Sequence, residues 1–296
     1  MGQFRRLSEL CFLDSEINEK SIKSRSLSIS PMHLKTYERF AAETAQNAGK
    51  ILLKHFQKKF KVSYKGSGRN NLVTEIDKLS EAFIIKNIKK NFPDHEILSE
   101  ESGAIEKSAK TRKSGFRWVI DPIDGTNNYA HGHPFFAVSI GLEKDNKIVA
   151  GVVYAPVYGE LFRASKGCGS FLNDKRIHVS KIKNLDEAIL ASGFSYVQKE
   201  RNFPYIEHFA LKAQGIRRCG AAALELAYLA AGHQDGFWEF GLQAWDFAAG
   251  KILIEEAGGK VTNIEGKPLL LTNHDLIASN GTLHREILQN IDIVKT

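Results

Sequence analysis

The stretch WVIDPIDGTNNY, residues 118–129, joins an apolar strand to two acidic residues. Its first three residues are bulky and apolar, which is typical of a buried strand that ends at Asp121. Pro122 cannot donate a hydrogen bond within a sheet, so we expect the strand to stop there. Asp124 and Gly125 then favour a tight turn. The sequence therefore predicts two carboxylates, Asp121 and Asp124, presented together at the end of a buried strand.

Carboxylates held close together repel each other, and they stay ionised together only when a cation lies between them. Oxygen ligands from aspartate side chains and backbone carbonyls suit Mg²⁺. An isolated Asp-x-x-Asp-Gly turn, however, is more often an ordinary surface turn than a metal site. Three further acidic segments have to be weighed with it: NLVTEID at 71–77, SEES at 99–102 and WDFAAG at 245–250.

Each of these segments also has a purely structural interpretation. Asp77 follows Thr74, the expected N-cap of a helix, by three residues and can complete a capping box. Asp246 is placed where a helix begins and can act as its N-cap. Glu100 follows a short apolar strand, and acidic residues at strand ends are usually solvated. Their joint occurrence favours a metal site over these separate structural roles.

Outside the motifs the chain alternates helical and strand patterns, which predicts an α/β (α+β) fold. The 296 residues are 43% hydrophobic and 25% charged, and no apolar run in the sequence is long enough to cross a membrane. Three cysteines are too few for a disulfide framework and favour a cytoplasmic protein. The formal net charge of +7 suits a phosphorylated substrate and permits weak nucleic-acid contact.

The expected elements follow two kinds of periodicity. Apolar residues at three- and four-residue steps predict helices at 34–56, from Thr74 to before Pro93, and at 205–214, 221–231, 247–256 and 283–291. Apolar runs predict strands at 97–99, 116–120, 135–142, 148–154, 160–164, 188–192, 261 and 269–271, whereas 166–176 has the composition of a loop.

We expect three parts along the chain. Residues 1–31 contain several serines and show little apolar periodicity. We expect them to form a poorly ordered extension. Residues 32–180 are expected to form an N-terminal α+β half with most of the candidate metal ligands. Residues 181–296 are expected to form a C-terminal α/β half that contributes Asp246.

The four motifs together resemble one protein family. The run WVIDPIDGTNNYAHGHPFFAVSIGL at 118–142, with NLVTEID, SEES and WDFAAG in their order and spacing, resembles the inositol monophosphatase family, which belongs to the Mg²⁺-dependent, Li⁺-sensitive phosphatases. The resemblance extends from about residue 34 to about residue 290. It implies a layered α-β-α-β-α sandwich of the inositol monophosphatase and fructose-1,6-bisphosphatase type.

The resemblance also implies roles for the acidic residues around two or three Mg²⁺ ions. A first ion would be held by Glu100, Asp121 and the carbonyl oxygen of Ile123, a second by Asp121, Asp124 and Asp246, and a third, weaker one by Glu100 and waters. Thr126 and Asp77 would orient the attacking water beside Glu100. These roles agree with the expectation that clustered acids surround cations.

Substrate contacts are implied in the same way. The backbone amides of Gly125 and Thr126 would hold phosphate oxygens at a turn that opens a helix. The polyol hydroxyls would be contacted by Gly220, Ala221, Ala222 and Glu239, with Asp124 in reach of one. Many family members carry a hydroxyl side chain where this chain has Ala221, which leaves less polar contact with the polyol. The structural alternative for Glu239 is an exposed acid at a strand end.

These features imply a phosphoric monoester hydrolase in which water attacks the phosphorus of a small-molecule ester directly. Residues 217–222 and Glu239 favour inositol monophosphate as the substrate. Fructose 1,6-bisphosphate, 3′-phosphoadenosine 5′-phosphate and histidinol phosphate stay open, because the same carboxylates would serve them.

A role of another class is RNA or protein binding on the same scaffold, including contact with the transcription machinery. The basic net charge and the Arg217-Arg218 pair motivate this alternative, although the sequence contains no RNA-binding motif that supports it. Because members of the family are commonly homodimers, the resemblance also implies a homodimer.

Overall fold

The computed structural model describes residues 31–64, 72–105, 114–194 and 199–295. The expected N-terminal extension, residues 1–31, lies outside the described residues apart from Pro31. Within the described ranges, no helix is both long enough and apolar enough to span a membrane. Residues 31–296 form one compact unit, and their division into halves at 180/181 stays a prediction.

Each helix expected from the sequence is present among the described residues, with small differences at its ends. The helices are α1 (Pro31–His55), α2 (Glu75–Asn91), α3 (Thr126–Ala130), α4 (Phe203–Ala210), α5 (Ala222–Ala230), α6 (Ala244–Glu256) and α7 (His284–Lys295). Short 3₁₀ turns cover Leu185–Glu187 and Lys199–Asn202.

The strands form a two-stranded ribbon and two larger sheets. They are β1 (Val62–Tyr64), β2 (Leu72–Thr74), β3 (Glu96–Ser99), β4 (Gly103–Ile105), β5 (Phe116–Asp124), β6 (Ala137–Lys144), β7 (Lys147–Ala155), β8 (Glu160–Ser165), β9 (Ser170–Leu172), β10 (Lys175–Ile177), β11 (Ile189–Ser192), β12 (Gly215–Arg217), β13 (Gly236–Phe240), β14 (Lys260–Thr262) and β15 (Asp275–Ser279).

Both large sheets contain a parallel portion that ends at the functional site. The eight-stranded sheet has the order β10-β9-β8-β7-β6-β5-β3-β4, and β3 runs parallel to β5 within it. The five-stranded sheet has the order β12-β11-β13-β15-β14, with β12, β11 and β13 parallel. Because parallel strands end at the same edge of a sheet, the residues that follow them lie close together.

The sheets and helices stack in five layers. Helices α1 and α2 pack on one face of the eight-stranded sheet, α5 and α6 lie between the two sheets, and α4 and α7 cover the outer face of the five-stranded sheet. One apolar core surrounds α5 and α6, and a second lies beneath α4 and α7. This is the α-β-α-β-α order that the family resemblance implied.

Helix α6 approaches the eight-stranded sheet closely because two glycines face it. Gly141 of β6 and Gly151 of β7 are direct partners in the antiparallel ladder. A Cβ atom at Gly141 would lie 2.8 Å from the Cβ of Ala248, and one at Gly151 would lie 2.8 Å from the Cα and carbonyl oxygen of Ala249. Since α6 carries Asp246 in its first turn, this close packing also determines where Asp246 lies.

Two local expectations for the eight-stranded sheet were wrong. The strand before Pro122 does not stop there, because β5 continues to Asp124 with a register shift between Asp121 and Asp124. Residues 166–176 are not a plain loop but contain most of the β9–β10 hairpin. Asn173 makes its tight turn with a positive φ of 53°, a conformation that asparagine tolerates better than most residues.

The five-stranded sheet was predicted less completely. Residues 269–271 are not a strand in the described structure, and Pro268 beside them forms an isolated bridge with Thr262. Strands β12, β13 and β15 of this sheet were not predicted. Strands β13 and β15 have five residues each, and β13 contains the buried Glu239, which interrupts the apolar pattern that marks a buried strand.

His284, the first residue of α7, is expected to make the stability of the fold depend on pH. Its two ring nitrogens lie 2.9 Å from the hydroxyl of Thr262 and 3.0 Å from the hydroxyl of Ser279. Burial lowers its pKa from 6.5 to about 4, and Lys260 acts in the same direction. Between these two pKa values the unfolded chain binds a proton that the folded chain does not. The contribution to stability is therefore fully present above pH 6.5 and is lost as the pH falls toward 4.

We expect the free energy of unfolding to fall by about 2 kcal/mol more in the wild type than in His284→Asn when the pH drops from about 7 to about 5. Urea unfolding at both pH values measures this difference. The variant loses hydrogen bonds at both pH values. We therefore compare how strongly the stability of each protein changes with pH, and not the two stabilities themselves. Identical pH dependence in the two proteins would contradict the role assigned to His284.

Candidate active site

A pocket lies where the ends of the parallel strands from both sheets meet. Glu100 follows β3, while Asp121 and Asp124 belong to the end of β5. Gly193 follows β11, and Glu239 lies near the end of β13. The residues that line the pocket are Glu100, Asp121, Ile123, Asp124, Gly125, Thr126, Asn127, Gly193, Phe194, Arg218, Gly220, Ala221, Ala222, Glu225, Glu239, Leu242 and Asp246. Every site residue expected from the sequence is among them except Asp77, which contacts one of them.

The end of β5 presents both of its aspartates to the pocket. In a regular strand, residues three apart point to opposite faces, but the register shift between Asp121 and Asp124 allows both to face the same pocket. The N–H of Ile123 donates to Oδ1 of Asp121 at 3.0 Å. The N–H of Leu224, at the start of α5, donates to Oδ2 of Asp124 at 2.9 Å. Backbone amides thus fix the orientation of both carboxylates.

Glu100 reaches Asp121 from the neighbouring strand. β3 and β5 are paired so that Ser99 lies opposite Ile120. The N–H of Glu100 donates to the carbonyl oxygen of Ile120 at 3.2 Å, which continues the pairing by one residue. The charge of Glu100 raises the pKa of Asp121, and both side chains line the same pocket. The ends of two parallel strands therefore bring these two acidic residues together.

Asp246 enters the pocket from the first turn of α6. It is not the N-cap of this helix, because α6 begins at Ala244 and Gln243 is the N-cap. The N–H of Gln243 donates to Oδ2 of Asp246 at 2.7 Å, and the N–H of Asp246 donates to the carbonyl oxygen of Gln243 at 3.1 Å. Asp246 therefore stabilises the start of the helix and lines the pocket at the same time.

Burial and mutual repulsion make this acidic cluster hard to ionise. Burial raises the pKa of Asp121 well above its usual 3.8, and the charges of Glu100, Asp124 and Asp246 raise it further. Burial also raises the pKa of Asp124 to about 7, although two backbone amides of α5 oppose this shift. A bound cation would compensate their charge and favour the ionised forms. Their oxygen-only donor set fits Mg²⁺.

Within the described residues, no three His, Cys, Asp or Glu side chains are arranged closely enough to hold an ion as they stand. Since like-charged carboxylates repel each other, a cation is needed to draw them around one point. The fit to Mg²⁺ therefore rests on the donors that border the same pocket. They are Glu100, Asp121, Asp124, Asp246 and the carbonyl group of Ile123.

Asp77 both caps helix α2 and contacts Thr126. Its Oδ2 accepts hydrogen bonds from the N–H and hydroxyl groups of Thr74, at 2.8 and 2.6 Å, which forms the expected capping box. Its Oδ1 lies 2.9 Å from the hydroxyl oxygen of Thr126, which is also 3.0 Å from the carbonyl oxygen of Ile123. Burial raises the pKa of Asp77, while its bonds to the two threonines oppose the rise.

The opposite wall of the pocket is built by the five-stranded sheet and α5. Glu239 is 7% exposed, so it is not the exposed strand-end acid of the structural alternative. Burial raises its pKa well above 4.5. Gly193 packs so closely against this carboxylate that a side chain at position 193 would overlap it. Arg218 lies at the rim, with its guanidinium carbon 5.2 Å from the centre of the Phe194 ring.

Sequence reasoning missed Glu225, a second glutamate in this wall. It is 1% exposed within α5, and its Oε1 accepts a hydrogen bond from the N–H of Cys219 at 2.9 Å. Its Oε2 has no hydrogen-bond partner among the described residues. The available signal was an acid inside the apolar run AALELAYLA, residues 222–230, because an acid in a buried helix needs a specific role.

The sequence and the fold both match one protein family. The sequence profile of the inositol monophosphatase family matches residues 33–296. The chain belongs to the inositol monophosphatase family. An inositol-1-monophosphatase from Synechocystis sp. is 40% identical over 263 residues, which cover 88% of this chain and 90% of the relative. Nus factor SuhB of Escherichia coli K12 is 39% identical over 254 residues, which cover 85% of this chain and 94% of the relative.

Solved structures from the inositol monophosphatase family confirm the layered fold. Inositol monophosphatase from Anabaena (Nostoc) sp. matches with a TM-score of 0.79 and 39% identity, covering 88% of this chain and 97% of the other. The extragenic suppressor protein SuhB from Bartonella henselae matches with a TM-score of 0.81 and 38% identity, covering 86% and 98%. Relatives named as phosphatases and relatives named as Nus factors are nearly equally identical to this chain. Membership of the family therefore does not decide between these two roles.

Proposed function

We propose that this protein is a Mg²⁺-dependent phosphoric monoester hydrolase that releases phosphate from a small polyol ester, and that inositol monophosphate is its substrate. The observation that carries the proposal is the convergence of four acids, from three separate segments, on one pocket that also contains buried glutamates on its opposite wall. The Synechocystis relative, named as an inositol-1-monophosphatase, supports the same activity.

The proposed cation ligands are Glu100, Asp121, Asp124, Asp246 and the carbonyl oxygen of Ile123. When bound, Mg²⁺ supplies Lewis-acid chemistry, since it lowers the pKa of water and offsets the negative charge of phosphoryl oxygens. The number of ions, two or three, and the sensitivity to Li⁺ stay predictions. Five oxygen donors from three chain segments give enough ligands for more than one ion.

Asp77 and Thr126 are proposed to orient the attacking water. The Thr126 hydroxyl is fixed by contacts with Asp77 and with the Ile123 carbonyl, so its oxygen offers one defined acceptor direction toward the pocket. A water held in this way attacks in line with the leaving alkoxide, and no side chain needs to act as the nucleophile.

The turn before α3 is proposed to hold the phosphate group through the amides of Gly125 and Thr126. Gly125 has a φ of 89°, a conformation that glycine adopts without strain. A Cβ at Gly125 would lie 3.0 Å from the Cβ of Ala221 and 3.1 Å from the carbonyl oxygen of Phe135. Glycine therefore leaves the space through which an anion can approach the backbone.

The polyol is proposed to bind between Glu239 and the segment Gly220–Ala222. A carboxylate accepts hydrogen bonds from hydroxyl groups, and a ring with several hydroxyls can occupy more than one such acceptor. Asp124 borders the same space and is the further acceptor. Because Ala221 has no hydroxyl, we expect selectivity among polyols to depend mainly on the carboxylates.

The test is phosphate release from a panel of esters: inositol 1-phosphate, fructose 1,6-bisphosphate, 3′-phosphoadenosine 5′-phosphate and histidinol phosphate. We expect inositol 1-phosphate to give a kcat/KM about tenfold or more above the others, because a site with buried hydrogen-bond acceptors discriminates strongly against ligands that leave them unpaired. EDTA is expected to abolish release, Mg²⁺ to restore it and Li⁺ to inhibit it. A preference for another ester reassigns the substrate, whereas no release from any ester with Mg²⁺ overturns the enzyme assignment.

RNA binding is the second candidate function. The formal net charge of +7, the exposed Arg217 and Arg218, and the Nus factor name of the E. coli relative favour it. This function requires tight RNA binding in which the logarithm of the association constant falls linearly with the logarithm of the salt concentration. It also requires that Asp124→Asn, which alters the pocket, leaves RNA affinity unchanged. The expected homodimer stays a prediction under either function.

A further inference from the structure

One face of helix α2 is hydrogen-bonded to the candidate active site at three places. Asp77, Ser80 and Glu81 are three and four residues apart, so their side chains lie on the same side of the helix. The Thr126 hydroxyl donates a hydrogen bond to Asp77, and the Ser80 hydroxyl donates one to the carbonyl oxygen of Pro122 at 3.0 Å. Glu81 accepts hydrogen bonds from the turn that follows β3.

Glu81 accepts three hydrogen bonds from the two residues that follow Glu100. Its Oε1 accepts from the backbone N–H groups of Glu101 and Ser102, each at 3.1 Å. Its Oε2 accepts from the hydroxyl of Ser102 at 2.5 Å. Glu81 is 5% exposed and does not line the pocket. A buried carboxylate is costly unless it is hydrogen-bonded, and here the bonds all come from one turn.

Glu100 is therefore fixed from both sides. On one side, its own N–H is bonded to the carbonyl oxygen of Ile120. On the other side, Glu81 holds the following two peptide groups with charge-assisted hydrogen bonds, which are stronger than those between neutral groups. The position of the Glu100 carboxylate beside Asp121 follows from these two constraints on its backbone.

We propose that Glu81 is a positioning residue for Glu100. It holds the turn that aims the Glu100 carboxylate at the pocket, and it thereby sets the affinity of the site for Mg²⁺ and the rate of phosphate release. Glu81 itself contacts neither the cation nor the substrate. This inference rests on the proposed function and assigns to α2 a role beyond carrying Asp77.

A purely structural role would link α2 to the sheet without any effect on the pocket. The chain offers a matched control in Glu38 of α1, which is 3% exposed. Its carboxylate accepts hydrogen bonds from Arg163 at 2.7 Å and from the hydroxyl of Ser165 at 2.5 Å, and it does not line the pocket. Glu38→Ala therefore removes a buried, hydrogen-bonded glutamate of the same class from another part of the sheet.

The experiment uses the full chain with Glu81→Ala, Glu81→Gln, Ser102→Ala and Glu38→Ala. The midpoint Mg²⁺ concentration is measured in two ways: from the rise in melting temperature without substrate, and from phosphate release with inositol 1-phosphate. We expect Glu81→Ala to raise both midpoints by about 10- to 100-fold and to lower kcat at saturating Mg²⁺ with little change in KM. Glu81→Gln keeps an acceptor oxygen for both amides and is expected to stay within about threefold of the wild type.

The other two variants separate positioning from folding. Ser102→Ala removes the hydroxyl donor but keeps Glu81, so its midpoints are expected to lie between those of the wild type and Glu81→Ala. It also tests the proposal if Glu81→Ala does not fold. Glu38→Ala is expected to lower the melting temperature in EDTA while both Mg²⁺ midpoints remain unchanged.

The role of Glu81 is overturned if Glu81→Ala and Ser102→Ala lose stability in EDTA but keep wild-type Mg²⁺ midpoints and kcat. This failure is distinct from failure of the proposed function. If the wild type gains no thermal stability from Mg²⁺ and releases no phosphate, the proposed function fails, and the role of Glu81 fails with it. If the wild type does both, the variants test Glu81 alone.

Discussion

Asp121→Asn is expected to lower kcat/KM for inositol 1-phosphate by about 10³-fold or more while the protein remains folded. Asp121 is 2% exposed, and the negative charges of Glu100, Asp124 and Asp246 raise the pKa of its carboxyl group. Asparagine keeps an oxygen for the bond from the Ile123 N–H but has no negative charge and one fewer ligand oxygen. Steady-state kinetics and circular dichroism measure the two parts of this expectation.

The melting temperature gives a second readout for the same variant. Without a cation, the wild type buries a group of mutually repelling acids, so Asp121→Asn is expected to melt at the same temperature or higher in EDTA. With Mg²⁺ the order reverses, because the wild type binds the cation more tightly and is stabilised by mass action. Retention of more than about a tenth of wild-type activity would show that Asp121 is not a shared cation ligand.

Asp235→Asn is the matched control for Asp121→Asn. Asp235 is 6% exposed, accepts hydrogen bonds from the Ser180 hydroxyl and the Ile189 N–H, and lies outside the pocket. Its replacement is expected to lower stability in the presence and absence of Mg²⁺ by the same amount and to leave kcat unchanged. A loss of activity equal to that of Asp121→Asn would mean that removal of any buried charge impairs the enzyme.

The acids that we propose as cation ligands were selected from the sequence because each belongs to a recognisable local pattern and because the four motifs together resemble one family. Asp121 and Asp124 lie at the end of an apolar strand, and Asp77 completes a capping box with the N-cap residue Thr74. These patterns depend on residues that are neighbours in the chain. The helices were found for the same reason, since their apolar periodicity is also local.

The side of the pocket where we propose that the polyol binds depends on contacts between distant segments, which single-sequence patterns do not reveal. The burial of Glu239 requires β13 to be covered on both faces, and β13 itself was not recognised. Gly193 has a role because the Glu239 carboxylate lies against its backbone, 46 residues away along the chain. Ser80 and Glu81 are polar residues in a helix and carry no sign that they face the site.

The register shift at the end of β5 shows how a local prediction fails in one detail. Pro122 lacks an N–H, so a stop was the simplest expectation. The sheet instead continues past it to Asp124, with Asp124 paired to Ala137 after the shift. The shift serves the site, because it turns Asp124 toward the face that Asp121 already occupies.

Gly151→Ala is expected to lower the free energy of unfolding by about 2–3 kcal/mol, because overpacking in a close-packed core forces the backbone to move. The added Cβ would lie 2.6 Å from a methyl group of Ile252 and 2.8 Å from two backbone atoms of Ala249, which cannot rotate away. Urea unfolding measures the loss. Gly215→Ala is the control, since Gly215 also lies in a strand and its nearest neighbour is the flexible end of Arg217 at 3.2 Å.

Gly151→Ala should also impair the pocket, although residue 151 does not line it. Helix α6 is a rigid body that contacts the sheet at Ala248 and Ala249 and carries Asp246 less than one turn earlier. A displacement of α6 away from β7 therefore moves Asp246 away from Asp121. We expect the midpoint Mg²⁺ concentration for phosphate release to rise by about tenfold. If Gly151→Ala loses stability but keeps its Mg²⁺ midpoint, α6 yields locally and Asp246 is positioned by its bond to Gln243 instead.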